Sequence, residues 1–375
     1  MSKLPSICFV APQAYPILAS NTSINIVGGA EVQQCCIAKN LAKRGFITSM
    51  ICLDYGQPND LVIDGVRVFK THKPDGGIPV LRFIHPRITS LWQALKKVDA
   101  EIYYQRCASQ QTGLVSFFCR HVKKKMIFSV ASDLDLIPGQ QLIRYKRDKL
   151  LYEWGLKHAD VIIVQNPQQQ ILCKKNYNKG SVVIRSCYEN SSNNQDDDKQ
   201  IDVLWVGTIK LIKRPEIFIE LAQRMPEYSF RMIGGSSNGN NHEFYYCKIK
   251  EQASKVSNLD FWGFVPLTEI DKHFNKARLF VNSSKWEGFP NTFLQSWIRG
   301  IPTVAFINPD AIFEGEQVGV KVNSIDDMVH KIKELLACTQ KYELIGNICK
   351  KYAEQFHSPE KIVDEYSKLF TSIIC

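Results

Sequence analysis

The chain contains 375 residues, a length typical of two domains, and 45% of them are hydrophobic, which excludes a wholly disordered protein. No apolar run approaches the roughly 18 residues that a membrane-spanning helix needs. The formal net charge of +10 leaves three kinds of partner to weigh: nucleic acid, an anionic membrane surface and a phosphorylated ligand.

Strands alternate with helical segments through residues 1–185, which predicts a parallel sheet covered on both faces. The chain opens with the apolar stretch Ile7–Ala11, which we interpret as a buried strand rather than part of a signal peptide. A helix is predicted over Ala30–Arg44. The other strands predicted in this half are Ile47–Leu53, Glu101–Tyr104, Met126–Val130 and Asp160–Val164.

Residues 186–200 read SCYENSSNNQDDDKQ, a polar and acidic composition typical of a linker. We therefore predict one Rossmann-like domain over residues 1–185 and a second over 201–357, with a ligand in the cleft between their parallel sheets. A last helix, within 358–375, is expected to pack back on the first domain. The other elements predicted after the linker are strands Asp202–Val206, Ser229–Ile233, Leu259–Trp262, Arg278–Val281 and Thr303–Phe306 and helices Pro215–Arg224 and Asn291–Arg299.

A glycine pair, Gly28–Gly29, lies between the first strand and the helix that follows it. Two glycines allow a ligand to approach the backbone, and the first turn of a helix offers N–H groups to an anion. The pair does not match GxGxxG, so it is not a dinucleotide fingerprint. An ordinary tight turn between strand and helix is the alternative.

The segment VGTIKLIKRP directly follows a predicted strand. Gly207 ends that strand, and Lys210, Lys213 and Arg214 cluster before the next helix. Cations on a loop at a helix start suit a diphosphate, because they neutralise its charge while N–H groups donate to its oxygens. A solvated basic loop is the alternative.

A third segment, SSKWEGFPNTFLQSWIRGIPTVAF, also follows a strand. Glu287 lies in its loop, and Gln295 lies two turns further along the chain. A carboxylate and an amide suit sugar hydroxyls, since each can form paired hydrogen bonds, and the backbone N–H groups near Asn291 and Thr292 suit a phosphate. Loop capping is the alternative for Glu287.

Together these segments resemble the retaining family 4 glycosyltransferases, whose GT-B fold is α/β with two Rossmann-like domains and parallel sheets facing a central cleft. The resemblance covers nearly the whole chain and includes the glycine pair, VGTIKLIKRPEIFIELA, ADVIIVQN, EGFPNTFLQSW and RGIPTV. It implies a retaining transferase of the hexosyltransferase type. The enzyme would move a sugar from a nucleotide diphosphate sugar to a glycan or lipid-linked glycan, in surface polysaccharide or glycolipid synthesis.

The resemblance also implies roles for individual residues. Lys213 matches the family's lysine on the donor diphosphate, and Glu287 matches the first acid of its E-x7-E motif, which contacts the transferred sugar. Gln295 stands where the second acid bonds the ribose hydroxyls, and Gly28 and Gly29 match the loop that closes over the donor phosphates. The remaining residues of the implied donor site are Gly207, Lys210, Gly288, Phe289, Pro290, Asn291 and Thr292.

Two residues depart from the family's pattern. Thr208 replaces the arginine after the glycine of its V-G-R pattern, and we hypothesise that Lys210 supplies that cation. Gln295 replaces the second acid, and because an amide still bonds a ribose diol, we interpret the change as tuning. A GT-B-fold nucleotide-sugar epimerase or a catalytically inactive donor-binding relative is the alternative.

The mechanism expected from these residues needs no metal or other cofactor. Lys213, Lys210 and helix N-termini are suited to stabilise the departing diphosphate, and the sequence contains no CxxC pair and no Asp-x-Asp in a donor-like setting. On the acceptor side, Asp133 or Asp135 is a candidate to orient or deprotonate the acceptor, with capping as the alternative, and Arg106 is a candidate cation. The candidate catalytic residues are Lys213, Glu287 and Asp133.

The excess positive charge lies in residues 1–185, with 25 basic and 12 acidic side chains, whereas residues 201–375 carry 21 of each. Residues 80–97 and 142–154 mix basic and apolar side chains, a pattern that favours an anionic membrane surface. Helices with one core face and one solvated face are the alternative. We predict a cytoplasmic protein that binds the membrane peripherally and, lacking RNP, helix-turn-helix and zinc patterns, has no nucleic-acid partner.

Overall fold

The computed structural model describes residues 4–22, 24, 28–78, 81–189, 199–236, 240–308 and 312–374. The chain forms two compact units. The N-terminal unit comprises Met1–Cys187 and Pro359–Cys375, and the C-terminal unit comprises Tyr188–Ser358.

An eight-stranded sheet forms the centre of the N-terminal unit, in the order β3-β4-β2-β1-β5-β6-β7-β8. All neighbouring strands are parallel except β3 and β4. The strands are β1 Ile7–Val10, β2 Thr48–Cys52, β3 Leu61–Ile63, β4 Val66–Lys70, β5 Ile102–Arg106, β6 Lys125–Ser129, β7 Val161–Val164 and β8 Val182–Val183.

Helices cover both faces of this sheet, because successive residues of a central strand point to opposite sides. Ile7 and Phe9 of β1 pack into one apolar cluster, and Cys8 and Val10 pack into another. The helices before the unit boundary are α1 Tyr15–Leu18, α2 Gly29–Lys43, α3 Thr89–Val98, α4 Gln110–Val122, α5 Lys146–His158 and α6 Pro167–Tyr177, with a 3-10 helix at Asp133–Leu136.

Two glycines allow α4 and α5 to pack with their backbones in close contact. A Cβ atom on Gly155 would lie 2.6 Å from the carbonyl oxygen of Thr112, and one on Gly113 would lie 2.3 Å from the carbonyl oxygen of Leu151. Those distances are shorter than van der Waals contact, so this helix pair requires glycine at both positions.

The C-terminal unit contains a six-stranded, fully parallel sheet in the order β11-β10-β9-β12-β13-β16. Its strands are β9 Ile201–Val206, β10 Phe230–Ile233, β11 Leu259–Gly263, β12 Ala277–Asn282, β13 Thr303–Ala305 and β16 Val320–Lys321, with a separate hairpin of β14 Ile312–Phe313 and β15 Glu316–Gln317. Its helices are α7 Pro215–Arg224, α8 Asn240–Ala253, α9 Leu267–Asn275, α10 Asn291–Trp297, α11 Ile325–Ala337 and α12 Thr339–Phe356.

The last helix, α13 Pro359–Ile374, belongs to the N-terminal unit. Its buried face, which includes Val363 and Tyr366, joins the same apolar cluster as β1 and α2. At its first turn the Arg44 guanidinium donates to the Glu360 carbonyl at 2.9 Å. These contacts tie the end of the chain to a helix near its beginning.

The ten strands predicted from the sequence are all present, and their ends differ by at most two residues from the prediction. The strands that were not predicted are β3, β4, β8 and β14–β16, most of them only two or three residues long, which is too short for a periodic pattern. Helix α10 ends at Trp297, two residues earlier than predicted, and the chain turns at Gly300 with a φ of 66°.

The polar segment 186–200 does not begin as an exposed linker. Ser186 and Cys187 are buried within the N-terminal unit, where the Cys187 backbone exchanges two hydrogen bonds with the amide of Gln33. The unit boundary follows directly, at Tyr188. Residues 190–198 lie outside the described residues.

Candidate active site

Two loops at the carboxyl ends of adjacent strands form the centre of the candidate site. Strand β9 leads through Gly207 to the 3-10 turn Leu211–Lys213, and β12 leads into residues 283–290. Because β9 and β12 pair in parallel, both loops emerge at the same edge of the sheet. The fold thereby brings together the two motifs that the sequence analysis singled out in this half.

Lys213 and Glu287 form an ion pair between these loops, with the Lys213 Nζ bonded to the Glu287 Oε1. Their side chains are 27% and 14% exposed, so both remain accessible at the surface of the unit. The Ser284 hydroxyl donates to the same carboxylate oxygen at 2.7 Å. A cation suited to phosphate and a carboxylate suited to sugar hydroxyls are therefore held side by side.

Arg214 connects the two loops, a role that the sequence did not indicate. Its Nε donates to the Ser283 carbonyl at 2.7 Å, one terminal nitrogen donates to the Ser284 carbonyl at 3.3 Å, and its guanidinium lies 4.4 Å from the ring centre of Phe306. Its backbone is left-handed, with a φ of 47° at the start of α7. Arg214 thus positions the loop that carries Glu287, although the sequence showed only its membership in a basic cluster.

The loop after β9 is held against the neighbouring strand end. The Ile209 N–H donates to the Gly235 carbonyl at 3.0 Å, and a Cβ atom on Gly234 would lie 2.0 Å from the Gly207 carbonyl oxygen. Lys210 is exposed and extended just before the 3-10 turn that contains Lys213. The two lysines share one loop, and the hypothesis that Lys210 replaces the missing arginine stays a prediction.

The segment after Glu287 runs from a buried loop into α10. Gly288 and Pro290 are buried, Pro290 directly precedes the first helical residue, and Asn291 and Thr292 are half-buried. These backbone positions stay predicted ligands of the donor.

The side chain of Phe289 packs into the apolar core, whereas contact of this residue with a donor stays a prediction. Its ring is 6% exposed, packs 5.8 Å from the Trp297 ring and lies 4.6 Å from the His357 ring. The side chain belongs to the apolar core, so only the backbone of Phe289 is left to contact a ligand.

Gln295 contacts a different set of residues from Glu287. It is 4% exposed, and its Nε2 donates to the Tyr188 hydroxyl at 3.1 Å. That hydroxyl donates to Asp271 at 2.8 Å, and Asp271 forms a buried ion pair with Arg299 at 2.9 Å. The sequence indicated neither Tyr188 nor this buried polar group, because its members are far apart in the chain.

In the N-terminal unit, the glycine pair lies at the start of α2. Gly28 precedes the helix, Gly29 is its first residue, and the Val32 N–H donates to the Gly28 carbonyl at 3.0 Å. The Glu31 carboxylate lies against Gly28, where a Cβ atom would come within 2.0 Å of its Oε2. Residues 25–27 lie outside the described residues, and contact of this pair with donor phosphates stays a prediction.

Arg106 ends β5 and is buried inside the unit. Its terminal nitrogens donate to the hydroxyl of Ser129 at 3.2 Å and to that of Ser186 at 3.3 Å. The guanidinium therefore fixes the carboxyl ends of the sheet. A direct acceptor contact by Arg106 stays a prediction.

Asp135 caps the 3-10 helix that follows β6. Its carboxylate accepts from the N–H groups of Ala131 at 2.8 Å and Ser132 at 3.2 Å, while the Ser132 hydroxyl accepts from Leu134. Burial raises the pKa of Asp135 to about 6. The capping alternative therefore describes Asp135, whose carboxylate is turned into the protein.

Asp133 is the more accessible member of the pair. It is half-buried and accepts from the Gln169 side chain at 2.9 Å, and burial raises the pKa of its carboxyl group. A raised pKa suits a group that receives a proton from an acceptor hydroxyl. Of the two acids, Asp133 is the more exposed, and its role toward an acceptor stays a prediction.

Two basic and apolar stretches of the N-terminal unit lie next to each other. The Arg147 guanidinium lies 3.4 Å from the ring centre of Phe83, which joins the stretch before α3 to the start of α5. We name the exposed residues around this contact the basic apolar surface. Its members are Leu81, Arg82, Ile84, Leu142, Arg144, Tyr145, Lys146, Arg147 and Leu150. Val80, the first residue of the predicted stretch, lies outside the described residues.

The described residues contain neither a metal-binding cluster nor a membrane-spanning helix. No three His, Cys, Asp or Glu side chains in that part of the chain are arranged to hold a metal ion. No helix there is long and apolar enough to cross a bilayer.

Comparison with known sequences finds a family match in the C-terminal unit. Residues 188–352, which make up most of this unit, match the model of the glycosyl transferases group 1. The chain is 26% identical over 181 residues to the O-antigen biosynthesis glycosyltransferase WbnH of Escherichia coli. That alignment covers 47% of each chain, so the match spans about half the length of this curated relative.

Comparison with solved structures identifies the fold of the whole chain as GT-B. The sucrose-phosphate synthase of Thermosynechococcus elongatus aligns over 99% of both chains with a TM-score of 0.80 and 15% identity. Anabaena HepE, solved with UDP and glucose, aligns over 98% of this chain and 100% of its own with a TM-score of 0.74 and 14% identity. At such low identity these likenesses establish the fold alone.

Proposed function

We propose that this chain, whose C-terminal unit matches the model of the group 1 glycosyl transferases, moves a sugar from a nucleotide diphosphate sugar to a glycan or lipid-linked glycan. The observation that carries the proposal is the Lys213–Glu287 pair at the carboxyl ends of β9 and β12. That edge of a parallel sheet is where such folds bind ligands. The likeness to WbnH supports a role in O-antigen or other polysaccharide synthesis.

In this proposal the ion pair divides on donor binding into two separate contacts. Lys213 binds the diphosphate, with Lys210 on the same loop as a second cation, and Glu287 accepts from hydroxyls of the transferred sugar. The Ser284 hydroxyl, which bonds the same carboxylate oxygen, keeps Glu287 oriented when Lys213 turns to the phosphate. The solved complex of HepE with UDP and glucose supports a UDP-sugar as the first donor to test.

The proposed reaction proceeds with retention at the anomeric carbon. The bond between that carbon and the diphosphate oxygen breaks, and the acceptor hydroxyl forms its bond on the same face. The hydroxyl proton passes to the departing phosphate oxygen, and the negative charge that develops on the diphosphate is stabilised by Lys213 and Lys210. Retention and independence from a metal both rest on the resemblance of these motifs to family 4.

A ligand screen tests donor binding. We expect one class among UDP-, GDP- and ADP-sugars to raise the melting temperature of the purified chain, because a ligand that binds only the folded state stabilises it by mass action. Transfer to a glycan acceptor is then followed by NMR of the product anomer, with and without EDTA. Release of an epimerised sugar without transfer, or an inverted product, would contradict the proposal.

Variants of the ion pair test the site. Lys213→Ala and Glu287→Ala should each lower transfer by about a hundredfold or more, since each removes a group that acts on the developing charge or the sugar. Matched controls are Lys255→Ala and Glu251→Ala, which remove an exposed ion pair on α8 of the same unit. Full activity in both site variants would overturn the assignment.

We further propose that the basic apolar surface binds the headgroup region of an anionic membrane, where a lipid-linked acceptor would be presented. Leu142 is 74% exposed and Leu150 69%, and Arg144, Lys146 and Arg147 lie on the same segment. Apolar side chains that enter the interface and cations that meet anionic lipid act together in such contacts. A cytoplasmic location stays a prediction.

Vesicle co-sedimentation tests this surface. The chain should sediment with vesicles containing phosphatidylglycerol but not with purely phosphatidylcholine vesicles, and binding should weaken as salt rises. The double variant Arg144→Glu/Lys146→Glu should lose most of this binding, whereas Lys255→Glu in the C-terminal unit should keep it. Equal binding by all three proteins would refute the proposed surface.

A further inference from the structure

The buried polar group around Gln295 has a defined hydrogen-bond direction. The Gln295 Nε2 donates to the Tyr188 hydroxyl at 3.1 Å, and the hydroxyl donates its single proton to Asp271 Oδ1 at 2.8 Å. The same carboxylate oxygen receives an Arg299 terminal nitrogen at 2.9 Å. In this series of hydrogen bonds, the donor or acceptor role of each group is therefore set by its neighbour.

Burial makes these roles rigid. The side chains of Asp271 and Arg299 are 5% and 3% exposed, and the remaining Arg299 nitrogens donate to the Asn275 side chain at 2.6 Å and to the Gln295 carbonyl at 2.7 Å. Paired in this way, the Asp271 Oδ1 accepts from both Arg299 and Tyr188. Burial raises the pKa of Tyr188, so its hydroxyl stays protonated and acts as the donor between them.

Position 295 must therefore supply a donor to Tyr188. An amide can do so through its Nε2, but a carboxylate cannot, because the Tyr188 proton is already given to Asp271. A glutamate at this position would compete with Asp271 for that one proton and would leave a second buried charge without a partner. The geometry thus explains physically why glutamine stands here in place of the acid.

We propose that Tyr188 is a positioning residue for nucleotide recognition: by fixing the Gln295 Nε2, it leaves the Oε1 as the acceptor for a ribose hydroxyl of the donor. This inference rests on the proposed function, because it requires that the C-terminal unit binds a nucleotide. It assigns to the first residue of that unit a part in the site, although the residue lies more than a hundred positions from Gln295 in the chain.

The test compares the affinities of a nucleoside diphosphate and its 2′-deoxy analogue, measured by isothermal titration calorimetry. The full chain should prefer the ribonucleotide by about tenfold, the value of one hydrogen bond that is lost. Tyr188→Phe should reduce this preference to nearly one, because the Gln295 amide is then free to turn. Tyr245→Phe is the matched control, since it removes another phenol that donates to a carboxylate in the same unit, and it should keep the preference.

A second variant tests, through a pH profile, which group donates in the hydrogen bond between residue 295 and Tyr188. Relative to the wild type, Gln295→Glu should weaken ribonucleotide binding by about tenfold at pH 8 and recover as the pH falls, because the protonated carboxyl group can again donate to Tyr188. The titratable groups bonded in this network are Tyr188, Asp271 from α9 and Arg299 after α10, and Lys199 donates to the carbonyl of Asn275, whose side chain accepts from Arg299. In Gln295→Glu/Tyr188→Phe the recovery should disappear.

The outcomes separate the two proposals. A wild-type chain that binds no nucleoside diphosphate would overturn the proposed function and this inference with it. A chain that prefers the ribonucleotide equally in wild type and Tyr188→Phe would overturn the inference alone, as would a Gln295→Glu variant whose defect does not change with pH. Circular dichroism and thermal melts of each variant identify any loss of folding.

Discussion

The two units differ in how the cations of their candidate contacts are held. In the C-terminal unit, Lys213 and Arg299 each bond to an acid from another element, Glu287 and Asp271. In the N-terminal unit, Arg82, Arg144, Lys146 and Arg147 lie on the basic apolar surface beside exposed leucines, where Arg147 pairs with its neighbour Asp148, while the buried Arg106 and Asp135 bond to hydroxyl and backbone groups. Net charge therefore indicates little about the C-terminal site, whose chemistry depends on a few charges held in place.

Loss of a buried cation should give the largest effect in this comparison. Arg299→Met in the C-terminal unit should lower the free energy of unfolding by about 3–5 kcal/mol, because it removes one partner of a buried ion pair and leaves the buried Asp271 side chain without it. Arg67→Met in the N-terminal unit, which removes a pair with Asp60 that is 50% and 38% exposed, should cost far less, because solvent screens an exposed ion pair. Urea unfolding measures the free energy of unfolding of both variants. Equal losses would contradict the expected difference between the buried and the exposed ion pair.

Asp135 provides a pH test of the buried acid in the N-terminal unit. Its pKa is raised to about 6 in the folded chain by burial, so the folded state holds this proton more tightly than the unfolded state. Stability should therefore fall as the pH rises from about 4 to about 6, by at most about 3 kcal/mol. Asp135→Asn should lack this decrease, and the difference between the two unfolding curves isolates it. If the two curves ran parallel over this pH range, the pKa of Asp135 would not be raised in the folded chain.

The contact between α4 and α5 should be sensitive to a single methyl group. Gly155→Ala places a Cβ atom 2.6 Å from backbone atoms of Thr112 and Gly113, and forcing the helices apart should cost about 1–3 kcal/mol. Gly180→Ala, in a loop of the same unit where a Cβ meets nothing within 4 Å, is the control and should change stability little. Thermal unfolding of the two variants tests whether close backbone packing is a property of this unit.

Replacing Arg214 should give the smallest effect, and the quantity affected should be the catalytic efficiency. Arg214→Met removes the donors to the Ser283 and Ser284 carbonyls, so Glu287 should be held less firmly and kcat/KM for the donor should fall by about tenfold. Arg224→Met, at the other end of α7 with an exposed ion pair, should leave kcat/KM unchanged. A Lys substitution at 214 that restores full activity would indicate that only its charge matters.

Much of the fold could be predicted from the sequence, because the patterns that indicate strands and helices are local. The buried strands appear as short apolar runs between turn residues, and the restart of the alternation near residue 201 indicates a second sheet. Lys213 and Glu287 could also be predicted as site residues, since each lies in a loop that follows a strand, and functional loops of parallel sheets lie at those strand ends. The resemblance to family 4 then connected the two motifs.

The roles of other site residues could not be predicted from the sequence. Phe289 stands within a donor motif, yet its ring fills the core beside Trp297, and Arg214 stands in a basic cluster, yet its guanidinium bonds to two backbone carbonyls. Tyr188 lies in a stretch that reads as a linker, although its hydroxyl joins Gln295 to Asp271. In each case the composition was visible but the direction of the side chain was not.

The sequence by itself determined which segments are buried and which loops follow the strands, because hydrophobic period and turn residues act over a few neighbours. Only the tertiary structure decided which distant polar groups meet: Lys213 with Glu287, and Gln295 with Tyr188. A hydrogen bond forms or fails within a few tenths of an ångström. Lys213 and Glu287 are 74 positions apart and Gln295 and Tyr188 are 107 apart, so they reach that distance only after the elements between them have packed.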